Sequence, residues 1–338
     1  MIDRRDVGQG ATQASAGVLA PYVSAHAGSQ LLDLGARSLD LYDEFVSRVV
    51  EDSGASVQYV RGGTLEVTLD TEAARRLQDV ARGYREMGVE AEYLDQQAAH
   101  RAEPQLADTV VGGLLVGIHG FVGASDLTNA LRRAAGAYGV TFSSSMSAVR
   151  ISGYNGSMQV ETPSDSVRCD VIVMAAGSWS GQVEGEAAVP IRPIRGQLLH
   201  VGWPKSLPGR VIWTDRCYMV PWTDGSVLIG ATVEDVGFDE RATVAGVQQL
   251  IEMACALVPN AHDALFQGVR IGLRPATPDD LPLIGPAANL PGLFYATGHF
   301  RNGVLLAPLT AQLVADYVLE GSSDDALGVT SPSRFTAG

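Results

Sequence analysis

Apolar residues recur at helical spacing along Leu31–Val50, with Leu34, Leu41, Phe45 and Val49 on one side, and predict an amphipathic helix that packs on a sheet and ends before Gly54. The run Val57–Leu69, interrupted by Gly62-Gly63, predicts a bent pair of strands. Asp70 or Thr71 then caps a helix whose Leu77, Val80, Tyr84 and Met87 face one way until Gly88. A second capped helix starts at Asp126 and carries Leu127, Leu131, Ala135 and Tyr138, and Val140–Phe142 is expected to open a strand after Gly139. Val171–Ala176 is an unbroken apolar run ending at Gly177, the pattern of a parallel strand covered on both faces. Between residues 190 and 234 β-branched and aromatic residues alternate instead, and Thr223-Asp224-Gly225-Ser226 predicts a hairpin turn in an antiparallel sheet. A helix from Thr243 to about Leu257, with Val247, Leu250, Ile251 and Ala254 inward, is stopped by Pro259, and a last helix runs from about Pro308 to Leu319. The Ser-, Asp- and Thr-rich tail after Gly321 is expected to fray. Parallel-type and antiparallel-type segments alternate along the chain, which implies an α/β fold of two domains threaded through each other.

Composition narrows the function classes. With 338 residues and 46% hydrophobic content the chain can bury a large core. A net charge of −14 repels phosphate backbones and anionic lipid, so neither nucleic acid nor a membrane is expected as a partner. Lys205 is the only lysine, which excludes chemistry that needs a phosphate-binding lysine plus others. Cys169, Cys217 and Cys255 form no C-x-x-C pair, and their odd number suits a reducing compartment. Apolar runs are too short to span a bilayer and the start has no basic-then-apolar signal pattern, so the cytoplasm is the expected location. The six histidines (His26, His100, His119, His200, His262, His299) show no metal-ligand spacing, and no metal site is expected. The serines of Gly177-Ser178-Trp179-Ser180-Gly181 are misplaced for a nucleophile elbow.

Three segments carry candidate chemistry. Met1-Ile2-Asp3 places an acidic residue at the close of a short apolar run, where the second strand of a dinucleotide fold offers a carboxylate to the ribose of a bound adenosine. Gly8-Gln9-Gly10 imitates half of a glycine fingerprint but has no preceding strand, so it is read as a decoy. Arg274 stands at a strand end in Gly272-Leu273-Arg274-Pro275; its planar guanidinium suits a carboxylate, while the plainer reading is an ion pair that holds the loop. Gly298-His299-Phe300-Arg301-Asn302-Gly303 precedes the last helix, so its backbone N–H groups can converge on an anion, unless it is only a turn.

The segments GQGATQASAGVLAP (8–21), AAGSWSG (175–181), IRPIRGQLL (191–199), CYMVP (217–221), LIGATVEDVGFD (228–239), GLRPATPDDLPLIG (272–285) and ATGHFRNGVLLAP (296–308) together resemble the FAD-dependent D-amino-acid oxidase superfamily. Within it the chain looks most like the glycine oxidases of thiamin biosynthesis, and the resemblance covers Asp3 to about Leu319. It implies a Rossmann-like FAD-binding domain of the glutathione-reductase type (1–50, 118–185 and 264–325), interleaved with an antiparallel-sheet α+β substrate domain (51–117 and 186–263) and followed by a flexible tail (326–338). It also implies that the first βα unit, with the glycine fingerprint, is missing. Met1 stands where the family usually has valine, and the expected start lies roughly 30 residues upstream, from the spacing of that strand, turn and helix. A fragment that does not hold FAD is the reading of a different class.

The resemblance assigns roles residue by residue. Arg274 and Tyr218 would hold the substrate carboxylate, and Arg301 would reach either the substrate or the flavin edge. Asp3, Ala16, Gly17, Val18, Val149, Ala176, Gly177, Trp179, Gly298, His299, Arg301, Asn302 and Gly303 would contact FAD, with Ala16–Val18 passing under the ring. Phe300, Val18 and Asp280 depart from the family's frequent tyrosine, methionine and glycine. The implied reaction is hydride transfer from Cα of a small amino acid, glycine or sarcosine first, to flavin N5. Hydrolysis of the imine to glyoxylate and reoxidation by oxygen to hydrogen peroxide follow. The substrate amine must be neutral, so capture should improve on going alkaline. Molecular oxygen and a small amino acid are the implied partners, a homo-oligomer is left open, and another D-amino-acid or sarcosine oxidase or dehydrogenase is the rival within the family.

Overall fold

The computed structural model describes residues 1–23, 29–185 and 189–335; His26, the first residues of the second substrate-domain segment (186–188) and the end of the tail (336–338) lie outside the described residues. In chain order the first half contains β1 (Val18–Leu19), α1 (Gln30–Asp40), α2 (Tyr42–Ser53), β2 (Tyr59–Val60), β3 (Thr64–Thr68), α3 (Thr71–Glu86), β4 (Ala91–Asp95), α4 (Gln96–Ala102), β5 (Gly112–Val116), β6 (Gly120–Val122) and α5 (Ala124–Ala137). There follow β7 (Arg150–Tyr154), β8 (Ser157–Glu161), β9 (Ser166–Cys169), β10 (Ile172–Met174), β11 (Arg192–Gly202), β12 (Val211–Trp213), β13 (Tyr218–Pro221) and β14 (Ser226–Gly230). The last are α6 (Val244–Leu257), β15 (Leu265–Ala276), β16 (Leu283–Pro286), β17 (Leu293–Thr297), α7 (Ala307–Ala315) and α8 (Asp325–Thr330).

An eight-stranded sheet, in the order β15-β11-β14-β13-β12-β3-β5-β4, gathers strands from both sides of the segment 118–185. The threading expected from the alternation of patterns is therefore physical: β12 pairs with β3 in parallel, with Val211 beside Thr64. Three smaller sheets, β1-β6-β2, β10-β17-β16 and β7-β8-β9, build the other lobe. β15 pairs antiparallel with β11 along its whole length, so residues 265–276 belong to the large sheet and not to the lobe in which the sequence put them.

Local signals explain several elements. The Asp70 carboxylate accepts the Ala73 N–H at 2.7 Å to cap α3, and the Thr243 hydroxyl accepts the Gly246 N–H at 3.2 Å to cap α6. Asp224 accepts the Ser226 N–H inside the predicted hairpin turn.

Tertiary partners override other expectations. The single helix expected over Leu31–Val50 breaks at Leu41 because its halves serve different cores. Leu34 packs with Phe294, Leu309 and Leu313, whereas Tyr42, Val46 and Val49 pack with Val122 and Leu127. The strands either side of Gly62-Gly63 are not a pair; β2 joins β6 and β3 joins the large sheet. Val140–Phe142 makes no strand, and only Ser143 bridges to Ile2. β10 does run parallel to β17, but Val171 and Val173 are 38% and 42% exposed because that face lines a cleft. Ile251 turns outward from α6 while Leu250, Ala254 and Leu257 are buried. The tail does not fray within the described residues. Ala326 and Leu327 of α8 close the core around Phe294 and Leu313, the buried Thr330 hydroxyl donates to the Ile284 carbonyl at 2.8 Å, and Arg37 and Arg334 pair with Asp324 and Asp279.

Candidate active site

A cleft of about 1480 Å³ between the lobes is lined by Ile2–Arg5 and by Tyr218, Arg274 and Arg301 among others. Side chains alternate across a strand, so Arg270, Gly272 and Arg274 of β15 point to the same face. Gly272 lies under the turn Ala11–Ala14: a Cβ there would stand 2.9 Å from the Ala14 Cβ. Next to it on β11, Gly196 makes the seat of Arg274, since a Cβ on Gly196 would fall 2.3, 2.4 and 2.6 Å from three guanidinium atoms. Arg274 Nη1 donates to the Thr232 carbonyl at 2.8 Å, and among the described residues it has no carboxylate within salt-bridge distance, so the loop-holding ion pair is set aside.

Tyr218 opens β13, with its hydroxyl over Gly230 and its ring stacked on Trp213 at 5.2 Å. Withdrawal from water pushes the Tyr218 pKa up while Arg274 draws it back, and the same withdrawal pushes Arg274 down while Tyr218 draws it up. Arg301 works against the charge on Arg274, which places the two cations in one electrostatic neighbourhood. Two cations lining the same cleft suit an anionic ligand.

The turn before α7 lines the same cleft. Gly298 has φ +73°, and Phe300, with φ +47°, donates its N–H to the Pro275 carbonyl at 2.9 Å, fastening the turn beside Arg274. Asn302 is buried and accepts the Leu306 N–H at 2.8 Å. Among the described residues the N–H groups of Gly303, Val304 and Leu305 find no backbone acceptor, and all three residues line the cleft. Such free donors at a helix start carry partial positive charge. His299 shares a 3.0 Å hydrogen bond with Thr310, and burial pushes its pKa down to about 4, so the imidazole is neutral near pH 7. Arg301 is exposed, with its guanidinium 5.0 Å from the Phe300 ring.

The remaining predicted residues line the same cleft. Asp3 accepts the Arg5 N–H through Oδ1, and Arg4 and Arg5 sit 4.2 and 4.9 Å from the Trp179 ring. Val149 is 42% exposed toward the cleft. Ala176 and Gly177 begin a tight turn that contains Trp179, and Ser178 ties that turn to the Leu273 carbonyl at 2.9 Å. Gly177 has φ +55° and open space where a Cβ would stand. Ala16 and Gly17 are buried. The demand for glycine at 17 nevertheless comes from β6: a Cβ there would strike the Val122 carbonyl at 1.7 Å. Val18 enters β1 against Phe121. Gly8-Gln9-Gly10 is a turn ahead of Ala11–Ala14 and has no strand before it. Sequence reasoning gave no role to Gly196, Gly230, Thr232 or Trp213; the first three were quoted only inside motifs. Among the described residues no group of three or more His, Cys, Asp or Glu is placed to hold a metal, and no helix is long and apolar enough to cross a membrane.

A large cleft lined by free backbone N–H groups and by two cations fits a planar, anion-forming ring extended by an adenosine. Residues 1–317 match the family described as DAO, FAD dependent oxidoreductase, and the chain belongs to it. It is 34% identical over 338 residues to the bifunctional protein ThiO/ThiG of Trichormus variabilis, covering 98% of this chain and 50% of that one. The chain thus spans about half the length of these bifunctional relatives. Glycine oxidase of Geobacillus kaustophilus is 30% identical over 322 residues, 94% of this chain and 85% of the other. The crystal structure of glycine oxidase from the same species superposes with a TM-score of 0.95 at 29% identity, covering 98% and 91% of the two chains. The fold is accordingly that of the FAD-dependent amino-acid oxidases, and FAD is the cofactor.

Proposed function

We propose that this protein oxidises a small amino acid, glycine or sarcosine, in the cytoplasm, and that the glyoxylate imine so formed serves thiamin thiazole synthesis. The observation that carries the reading is that Arg274, Tyr218 and the residues Gly303–Leu305, whose N–H groups find no backbone acceptor among the described residues, line one cleft. Arg274 takes the substrate carboxylate through the guanidinium edge left free by Thr232, and the Tyr218 hydroxyl donates a further hydrogen bond to the same group. FAD, when bound, would supply the two-electron oxidation of the substrate Cα–N unit, with oxygen as the final acceptor reduced to hydrogen peroxide. The N–H groups of Gly303, Val304 and Leu305 would lie against the ring edge where negative charge collects, and the neutral His299 adds no charge there. Asp3, Val149, Ala176, Gly177 and Trp179 would line the adenosine end, with Ala16, Gly17 and Val18 beneath the ring. Asn302 shapes the turn, and Arg301 lies at the substrate side.

The test is direct. The full chain supplied with FAD should turn yellow, bleach with glycine or sarcosine under anaerobic conditions, and release peroxide in air. Bleaching without peroxide would assign a dehydrogenase, and no bleaching with either amine would end the proposal.

A further inference from the structure

The sheet face turned away from the cleft carries a polar cluster that the reaction does not itself touch. Gln197 is fully buried; its Nε2 donates to Glu234 Oε1 at 2.7 Å and to Thr243 Oγ1 at 2.9 Å, and its Oε1 accepts the Thr243 N–H at 2.9 Å. Arg195, 3% exposed, pairs with Glu234 and donates to the Arg241 carbonyl at 3.0 Å. Burial works to raise the Glu234 pKa, but hydrogen bonds from Arg195, Thr232 and Gln197 hold the carboxyl below the usual range, so it stays charged. Thr232 stands between this cluster and the cleft. Its hydroxyl donates to Glu234 Oε1 at 2.6 Å and accepts the Gln197 N–H at 2.9 Å, its own N–H donates to the Gln197 carbonyl at 3.2 Å, and its carbonyl accepts from Arg274 at 2.8 Å. Every polar group of Thr232 is engaged, and only one of the four bonds reaches the cleft.

We infer that Thr232 is a positioning residue for substrate capture: clamped by Gln197 and Glu234, it presents a fixed carbonyl that orients Arg274 over Gly196 and leaves one guanidinium edge for a carboxylate. The inference rests on the role proposed for Arg274. A guanidinium has several N–H groups and could turn about its stem, so binding it on one side selects the side that meets the ligand. A misplacement on the order of 1 Å can cost about a hundredfold in a pre-organised site. Glu234 adds an opposing charge without forming an ion pair with the guanidinium itself.

The experiment uses FAD-loaded full-length protein and reads acetate binding from the flavin visible spectrum, alongside glycine kinetics. Thr232→Val removes both hydroxyl bonds and keeps the shape; it should weaken acetate binding tenfold or more and raise KM for glycine similarly, with kcat changed less than threefold. Thr232→Ser should restore both. Acetate binding by Thr232→Val equal to that of the wild type overturns the inference. Should Thr232→Val fail to fold by circular dichroism, Glu234→Gln is read in the same way, and failure of both to fold shows a purely structural cluster and also overturns it. Wild-type protein that neither responds to acetate nor is reduced by glycine sinks the proposed function, a different outcome from a wild type that responds as the valine variant does.

Discussion

The backbone N–H of Phe300 donates to the Pro275 carbonyl at 2.9 Å, and this bond joins the turn ahead of α7 to the strand end that carries Arg274. Phe300 holds φ +47° to make it, a left-handed conformation that costs a non-glycine residue about 1 kcal/mol. The two halves of the site are thereby set against each other by the main chain, without reliance on mobile side chains. Substituting Phe300 by Gly should relieve the strain yet widen the choice of turn conformations, lowering kcat more than it changes the melting temperature. A kcat equal to that of the wild type would show that the turn is held by other contacts.

Arg274→Ala removes a charge-assisted contact worth about 2–3 kcal/mol. KM for glycine should rise by about thirtyfold or more, while FAD content, read from the ratio of visible to ultraviolet absorbance, stays the same. Unchanged kinetics would take Arg274 out of the substrate site.

Gly17→Ala should act on stability before it acts on catalysis. The added Cβ has no room at the Val122 carbonyl, and φ +70° is unfavourable for alanine. Thermal unfolding should fall by several degrees or more in protein stripped of flavin as well as in loaded protein. If only the loaded form is destabilised, the constraint comes from the flavin and not from β6.

His299 gives a pH signature. Its pKa is lowered in the fold to about 4 against an ordinary 6.5, so the neutral imidazole is favoured by folding. The associated stability is complete above pH 6.5 and is lost as pH falls from 6.5 to about 4; the whole span is on the order of 3 kcal/mol. Carboxylates titrate over part of the same range, so the readout is a difference. Denaturant unfolding of wild type minus His299→Gln should slope between pH 6.5 and 4 and level off below. A difference that does not vary with pH would mean that the imidazole is protonated freely in the native state.

Leu327→Ala tests the packed C-terminal segment. Leu327 is 7% exposed against the core that holds Phe294 and Leu313, and its truncation should cost about 2–4 kcal/mol. Loss of less than about 0.5 kcal/mol in chemical denaturation would fit a frayed tail instead.

Those residues of the candidate cleft that the sequence singles out have local determinants. Arg274 near a strand end, the glycine-flanked turn at 298–303 and the cap Asp70 each sit within a few residues of what they organise. Gly196 and Gly230 were not legible, since their neighbours Arg274 and Tyr218 arrive from other strands, and only the register of β11 with β15 and of β13 with β14 brings them together. The same holds for the tail: its polar composition argues for solvent, but Thr330 and Leu327 answer to partners in β16, β17 and α7. Val171 and Val173 misled for the opposite reason. Apolar character on both faces of a strand does not distinguish a covering helix from a cofactor cleft.

The parallel pairing of Val211 with Thr64 stitches together pieces of chain that lie far apart in order of synthesis. A ribosome must release most of the polypeptide before that seam can close, so early folding is confined to hairpins and helices while the long-range contacts wait. Cutting the gene between residues 118 and 185 would leave each product with only part of the eight-stranded sheet. Mixing such halves should recover structure only when both are present from the start of refolding.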